Sequence, residues 1–245
     1  MVSGKYSALS GALAREQAMG NIAANLANVS STGFKKNRIS FESVLNDAKQ
    51  VTDARGINYS RIRKIGTDFT QGGMQETGRE LDLAIAGEGF FKIRKGDDTF
   101  YTRAGHFILD ENGMVKTEDG FNLLAAGNQP VQLPDAAGKI ISIDDNGNIA
   151  INGDISDSRI QIYNVNDEKL LNQVGNSLFQ LEQGGTDQVL DNFRVVQGSL
   201  ETSNVNMMEE MALMINTQRK FEADLKIMES YSALGDKQDE LGSIS

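Results

Sequence analysis

Few residues in this chain have types and spacings that could do chemistry, and most of those are more simply explained as turns. His106 is the only histidine. Beside Arg103 and Phe107 it could act as a general base, although a lone histidine near a turn is more often a solvated or hydrogen-bonded surface group. The adjacent carboxylates Asp97/Asp98 and Asp144/Asp145 could share acid–base work on a glycoside, but neighbours at hairpin tips read more simply as solvated turns. Asp110-Glu111-Asn112-Gly113 and Asp144-Asp145-Asn146-Gly147 carry the residue types of a calcium loop. An EF-hand spreads its oxygen ligands over about twelve residues and closes on a glutamate, and these runs are too compact for that. Gly87-Glu88-Gly89 lacks the third glycine and the following helix of a dinucleotide fingerprint. There is no phosphate-loop lysine motif and no Gly-x-Ser-x-Gly elbow. The residues spell out no catalytic set, no metal site and no cofactor site, so a non-enzymatic protein is expected.

Composition narrows the classes further. The 245 residues hold 24 Lys+Arg against 34 Asp+Glu, a formal charge of −10, and no cysteine. Disulfides, thiolate zinc sites and cysteine nucleophiles are excluded, and one histidine excludes multi-histidine metal sites. The acidic balance argues against a general nucleic-acid binder, which needs a basic face. With 39% hydrophobic and 24% charged residues, the chain is long enough for one large or two small folded domains. Its longest uncharged stretch, Gln17 to Phe34, contains Asn21, Asn25 and Asn28, which hydrocarbon rejects, so no membrane insertion is expected. Lys5 and Arg15 enclose a stretch too short and too polar for the apolar core of a signal peptide. The expectation is a cytoplasmic protein, or one exported without a cleaved signal.

The elements that would position any site fall at the two ends. Alanines at 8, 12, 14, 18, 23, 24 and 27, with no proline, predict a helix from Ser3 to Val29. Ser30-Ser31-Thr32-Gly33 ends it. At the other end, Asn206 and Glu209 form a capping-box-like start. From there Met207, Met211, Met214, Gln218, Phe221, Leu225 and Met228 step by four and three, a heptad seam. Between the helices the period changes to two. Phe91 and Ile93 face Phe100 and Thr102 across Lys95-Gly96-Asp97-Asp98, a hairpin signal. Residues 107–115 are echoed by 141–149, each with Asn-Gly between apolar runs, as a tight hairpin requires. The chain thus divides into an N-terminal assembly helix (1–33), an extended connector (34–74), a β-rich domain (75–198) and a C-terminal assembly helix (199–245). Charge follows the same division. Residues 30–70 carry a net +4, whereas 71–200 hold ten basic and twenty acidic residues.

Four motifs, in order along almost the whole chain, carry a family resemblance. Ala24-Asn25-Leu26-Ala27-Asn28-Val29-Ser30-Ser31-Thr32-Gly33-Phe34-Lys35 resembles the N-terminal signature of the flagellar basal-body rod and hook proteins, with Ala24 where that family carries asparagine. Thr77-Gly78-Arg79-Glu80-Leu81-Asp82-Leu83-Ala84-Ile85 with Gly87-Glu88-Gly89-Phe90-Phe91, then Tyr101-Thr102-Arg103-Ala104-Gly105, match its middle. Gln197-Gly198-Ser199-Leu200-Glu201 through Ser203-Asn204-Val205-Asn206 to Gln218-Arg219-Lys220-Phe221-Glu222 match its end. The resemblance implies a structural subunit of the rod that carries torque from motor to hook, exported by the flagellar type III apparatus and assembled with other rod proteins and with its own copies. Length and one modest β domain are most similar to a proximal-rod subunit, with a distal-rod or hook subunit as alternatives.

The expected fold class is therefore α+β, with terminal helices forming an antiparallel coiled coil beside a central all-β domain. The expected assembly interface comprises Leu9, Leu13, Asn21, Ile22, Asn25, Leu26, Asn28, Gly33 and Phe34 with Met207, Met211, Met214, Phe221, Leu225 and Met228. Apolar and small-residue faces left over by such a pair need neighbours, so the ends are expected to order on assembly. Contacts repeated by a screw operation build a filament rather than a ring. Two readings from other classes stay open: a wall-polysaccharide enzyme built on the β domain, and a soluble binding module.

Overall fold

The alanine-rich, proline-free N-terminus forms α1 (Val2–Ala27), and the methionine-rich C-terminal segment forms α2 (Met207–Gly242). The computed structural model describes residues 2–45, 58–134, 136, 138–175 and 177–242. Side chains of residues 2–4, 41–45, 58–65 and 238–242 lie outside that description. The chain divides into two units. The first comprises residues 1–27, 37–68 and 206–245; the second comprises 28–36 and 69–205.

In the first unit, β1 (Asn37–Leu45) and β2 (Asn58–Thr67) form an antiparallel pair whose register shifts between Ser40 and Phe41. Both lie within residues 34–74, the expected connector; its residues 46–57 lie outside the described residues. The two helices run antiparallel, with Arg15 Nε 3.2 Å from Asp224 Oδ2 and Asn25 Nδ2 3.3 Å from Glu210 Oε2. Asn206 caps α2, its Oδ1 accepting from the backbone N–H groups of Met208 and Glu209.

The helices do not form the coiled coil expected from the heptad. Knobs-into-holes packing needs large apolar side chains on both seams. Leu9 and Leu13 on α1, and Met207, Met211 and Leu225 on α2, are instead exposed. The protected positions of α1 include Ala8, Gly11, Ala12, Ala14, Arg15, Ala18, Ile22 and Asn25; those of α2 include Glu210, Met214, Thr217, Phe221, Asp224 and Met228. The step of four and three holds on α2, but its phase is set elsewhere. The polar anchors at Glu210 and Asp224 face α1, which turns Met207, Met211 and Leu225 outward. Small residues on α1 permit close approach and supply no knobs.

The second unit is β-structured. Its strands are β3 (Met74–Glu76), β4 (Leu83–Ala86), β5 (Phe90–Lys95), β6 (Asp98–Thr102), β7 (Ile108–Leu109) and β8 (Val115–Lys116). There follow β9 (Asn122–Leu123), β10 (Ile141–Ile143), β11 (Asn148–Ile151), β12 (Asp154–Arg159) and β13 (Ile162–Val165). The last are β14 (Leu171–Gln173), β15 (Leu178–Leu181), β16 (Asp187–Val189), β17 (Arg194–Gln197) and β18 (Ser199–Glu201). The largest sheet runs β14-β15-β6-β5-β9-β8-β7, with β13 joining β5 to β16. The β5–β6 hairpin has the expected register, Phe91 opposite Thr102 and Ile93 opposite Phe100.

Successive residues of a strand point to opposite faces, and on β5 both faces are buried. Phe91 and Ile93 enter a core with Leu83, Leu123, Val131 and Ile162. Phe90 enters a second core with Tyr101, Tyr163 and Phe179, where Phe69 meets Phe90 and Phe179 edge to face at 5.4 and 5.2 Å. The 107–115 and 141–149 echo is structural. In each, the glycine N–H donates to the first aspartate's carbonyl, Gly113 to Asp110 and Gly147 to Asp144, both at 2.9 Å.

Gly105 lies where two backbones almost touch: a Cβ there would come within 1.6 Å of the Leu83 carbonyl oxygen. Backbone cannot yield as a side-chain tip can. Gly105→Ala is expected to destabilise the second unit by at least about 1–3 kcal/mol. Urea unfolding of the purified chain measures this, and an unchanged midpoint at unchanged slope would contradict the packing.

Candidate functional site

The motif residues converge on a buried ion cluster in the second unit. Glu201, at the end of β18, is 0% exposed. Its Oε1 accepts from Lys35 Nζ at 2.7 Å and from the Gly72 N–H at 2.9 Å, and its Oε2 accepts from Arg103 Nη1 at 3.1 Å. Both cations reach further: Lys35 Nζ donates to the Thr70 carbonyl at 2.7 Å and Arg103 Nη2 to that of Gly87 at 2.8 Å, while Arg103 Nε is buried without a hydrogen-bond partner among the described residues. Phe90 lies 5.3 Å from the guanidinium, a cation–π contact. Burial pulls Arg103 below its ordinary pKa, and attraction to Glu201, then Glu168 and Glu88, opposes that pull. Asn204 closes the cluster, accepting from the Lys36 N–H and donating to the Thr70 carbonyl. The segments 28–36, 69–72 and 199–205 are thereby tied to one another.

Gly33 sits in the same knot. Its N–H donates to the Glu201 carbonyl at 2.8 Å, its φ is +65°, and a Cβ would lie 2.2 Å from the Ala104 nitrogen. Both the backbone conformation and the space select glycine.

A second polar knot surrounds Asp82. Thr77 Oγ1 donates to Oδ2 at 2.6 Å, Arg79 Nε to the same oxygen at 2.9 Å, and His106 Nδ1 lies 2.6 Å from Oδ1. Burial pushes the Asp82 carboxyl up, but the hydrogen bonds from Thr77, His106 and Arg79 outweigh it and hold the group below the usual carboxylate range. The other ring nitrogen of His106 lies 3.1 Å from Glu118 Oε1. His106 is thus a hydrogen-bonded link between carboxylates, the simpler of its two expected roles. Asp144 likewise spends its carboxylate on its own turn, accepting from the Asn146 and Asn148 N–H groups and from the Asn148 side chain. Among the described residues, no group of three or more acidic or histidine side chains could hold a metal ion.

The expected interface residues divide by environment. Asn25 is 2% exposed and fully engaged within the first unit, donating to the Asn37 carbonyl and to Glu210 and accepting from the Asn37 N–H. Asn28 accepts from Ser31 Oγ at 3.0 Å. Ile22, Gly33 and Phe34 are buried, while Asn21, Leu26, Met214, Phe221 and Met228 are half-buried. Leu9, Leu13, Met207, Met211 and Leu225 are exposed, with Leu13 at 52% and Met211 at 47%. Tyr6, Met208 and Ile215 are also exposed on these helices. Sequence reasoning did not single out Lys35, Arg103, Glu201, Asp82 or Asn204. Each lies inside a motif, and the available signal was a charged or amide residue embedded in an otherwise apolar or glycine-rich run.

Residues 84–151 match the family described as the flagellar hook protein FlgE/F/G D1 domain, and residues 196–238 match the flagellar basal body rod FlgEFG protein C-terminal family. The chain is 32% identical over 256 residues to the flagellar basal-body rod protein FlgG of Bacillus subtilis, covering 93% of this chain and 94% of that protein. It is 32% identical over 239 residues to the flagellar basal-body rod protein FlgF of Rhizobium meliloti, covering 97% and 96%. FlgF of Caulobacter vibrioides is 28% identical over 230 residues, covering 94% and 93%. The chain belongs to the flagellar basal-body rod protein family, a family of structural subunits of the basal body.

Removing one member of a buried ion cluster leaves its partners charged and unsatisfied, at a cost of about 3–5 kcal/mol. Glu201→Gln is expected to lose about that much. Arg194→Gln, which deletes a pair with Asp145 in which the two side chains are 64% and 65% exposed, should cost less than about 1 kcal/mol. Equal losses in chemical denaturation would refute the ranking.

Asp82 also predicts a pH dependence. Its folded pKa is depressed, so the unfolded state binds its proton more tightly. The stabilisation is complete above the unfolded value near 4 and is lost as pH falls through the folded value. The stability difference between wild type and Asp82→Asn should therefore shrink as pH falls below about 4, and a pH-independent difference would contradict this linkage.

Proposed function

We propose that this chain is a rod subunit of the FlgF type, part of the proximal rod, which assembles through its terminal helices with other rod proteins and its own copies. On this reading it transmits torque from motor to hook and performs no catalysis. It reaches its place through the flagellar type III export apparatus, and its ends order as assembly buries them.

The observation that carries the assembly reading is the open apolar surface of the helices. Tyr6, Leu9 and Leu13 on α1 and Met207, Met208, Met211 and Ile215 on α2 are exposed within the first unit. Exposed apolar side chains of this kind, on α1 near its start and on α2 near its start, are what neighbouring subunits would bury. Among the described residues no helix is long and apolar enough to cross a membrane.

FlgF and FlgG relatives match at the same 32% identity, and the FlgF reading takes its support from the length of one alignment. The Rhizobium meliloti FlgF alignment takes in 97% of this chain within 239 positions, nearly residue for residue. The Bacillus subtilis FlgG alignment extends to 256, more than the 245 residues present, and so opens gaps in this chain.

Leu13→Asp and Met211→Asp place a charge on exposed helical positions of the first unit and change no residue of the β-structured unit. Each is expected to leave that unit's thermal transition within the roughly 0.5 kcal/mol typical of surface substitutions and to abolish incorporation into basal bodies and swimming. Wild-type swimming in both variants would eliminate the helical interface. Phe221→Asp, in the stripe facing α1, should block incorporation by disrupting the helix pair itself.

A further inference from the structure

The tight turns of the second unit hold a reactive dipeptide that a rod subunit's role does not use. The chain contains three Asn-Gly pairs, at 112–113, 146–147 and 152–153. Asparagine before glycine can modify itself: the glycine nitrogen attacks the side-chain amide carbon, because no glycine side chain shields that nitrogen. The reaction needs a free nitrogen, room for the turn to rotate, and a donor to the charge that forms on the amide oxygen.

Two of the pairs are guarded. The Gly113 N–H donates to the Asp110 carbonyl and the Gly147 N–H to the Asp144 carbonyl, both at 2.9 Å. The carbonyls of these glycines accept from the Leu133 and Ile160 N–H groups at 2.7 and 2.8 Å. A Cβ at either glycine would lie 2.5 Å from a backbone oxygen, so neither turn rotates without moving its neighbour. The third pair is the two-residue turn joining β11 to β12, where Ile151 is opposite Asp154. Asn152 and Gly153 have φ of +50° and +94°, as a type I′ turn requires. Among the described residues the Gly153 N–H makes no backbone hydrogen bond, and no non-neighbouring atom lies within 4 Å of where its Cβ would be. Asn152 is held from one side only: its N–H donates to the Ile140 carbonyl at 2.9 Å, and its Oδ1 accepts from the Ile140 N–H at 3.1 Å. Rotation about the Cα–C bond of Asn152 therefore carries Gly153 through open space and leaves the amide oxygen on its donor.

We propose that Asn152-Gly153 is a site of spontaneous modification, with the Gly153 nitrogen as nucleophile, Asn152 Cγ as electrophile and the Ile140 N–H as donor to the charge on Oδ1. Attack forms the N–Cγ bond and breaks the Cγ–Nδ2 bond. The proton lost from the Gly153 nitrogen leaves with Nδ2 as ammonia, and a succinimide ring remains. Water then opens the ring. Opening at Cγ gives aspartate; opening at the main-chain carbonyl gives isoaspartate, whose backbone runs through the former side chain. Either product puts a new carboxylate two residues from Asp154. Isoaspartate also lengthens the turn by one backbone atom, which spoils the fit of a two-residue loop and loosens β12, whose place in its sheet depends on β11 alone. The site lies within the second unit and does not rest on the assembly reading.

Peptide mapping by mass spectrometry of the purified full chain, held folded at mildly alkaline pH, tests this. Trypsin places Asn112 in peptide 104–116 and both Asn146 and Asn152 in peptide 140–159. Backbone fragmentation then assigns each conversion to its residue. Asn152 is expected to convert at least about tenfold faster than Asn112 or Asn146, the factor withheld by a backbone hydrogen bond on the nucleophile and a covered turn. In urea the three pairs should convert at closely similar rates. Asn152 staying intact in the folded chain, or either guarded pair keeping pace with it, overturns the proposal. A ranking that persists in urea also overturns it, because the difference would then belong to the local sequence. Ile140→Pro removes the donor and should slow Asn152 while Asn112 and Asn146 stay guarded; an unchanged rate at Asn152 overturns the part given to Ile140.

Discussion

The carboxylate of Glu201 is the constraint on which the β-structured unit depends. A fully buried anion is costly unless each of its oxygens is satisfied and its charge is met. Here Lys35, Arg103 and the Gly72 N–H meet it, and those groups come from segments far apart in sequence. Hydrophobic contact is tolerant of small slips, but a buried salt bridge is not. The cluster therefore sets the relative positions of the segments 28–36, 69–72 and 199–205, which lead into and out of the unit. Gly33 is held to glycine because the chain must pass close to Ala104 to deliver Lys35.

The first unit is organised on the opposite principle. Its helices contact one another through small residues and two polar anchors, Arg15–Asp224 and Asn25–Glu210. Leu9 and Leu13 on α1 and Met207, Met211 and Leu225 on α2 are directed outward, while Ile22, Met214, Phe221 and Met228 stay in the facing stripes. Such an arrangement buries little for its length and leaves apolar area unpartnered, which a self-contained domain would avoid and a subunit of an assembly can use. The β-structured unit needs no such help, because β5 buries both of its faces.

How much was legible in the sequence depended on whether the signal was local. The helix at each end, the Asn206 cap, the β5–β6 register and the repeated Asn-Gly turns were readable, because backbone propensity, capping and turn geometry are decided within a few residues. Family membership was also legible, because four ordered motifs span the chain. His106 was correctly weighed as a hydrogen-bonded group, although its partners Asp82 and Glu118 could not be named.

The phase of α2 and the membership of the polar knots were decided only by tertiary structure. A heptad of Met207, Met211, Phe221 and Leu225 satisfies the period of a coiled coil, yet period fixes a stripe only to within one residue's rotation. That rotation was chosen by Glu210 and Asp224 finding Asn25 and Arg15, contacts 185 and 209 residues apart in the chain. The same holds for Lys35, Arg103 and Glu201, whose burial depends on partners no local window contains. The sequence by itself determined the terminal helices, the hairpin turns and the family; tertiary structure decided the β1–β2 pair and which faces meet, because only a folded chain brings buried charges to the partners that make their burial tolerable.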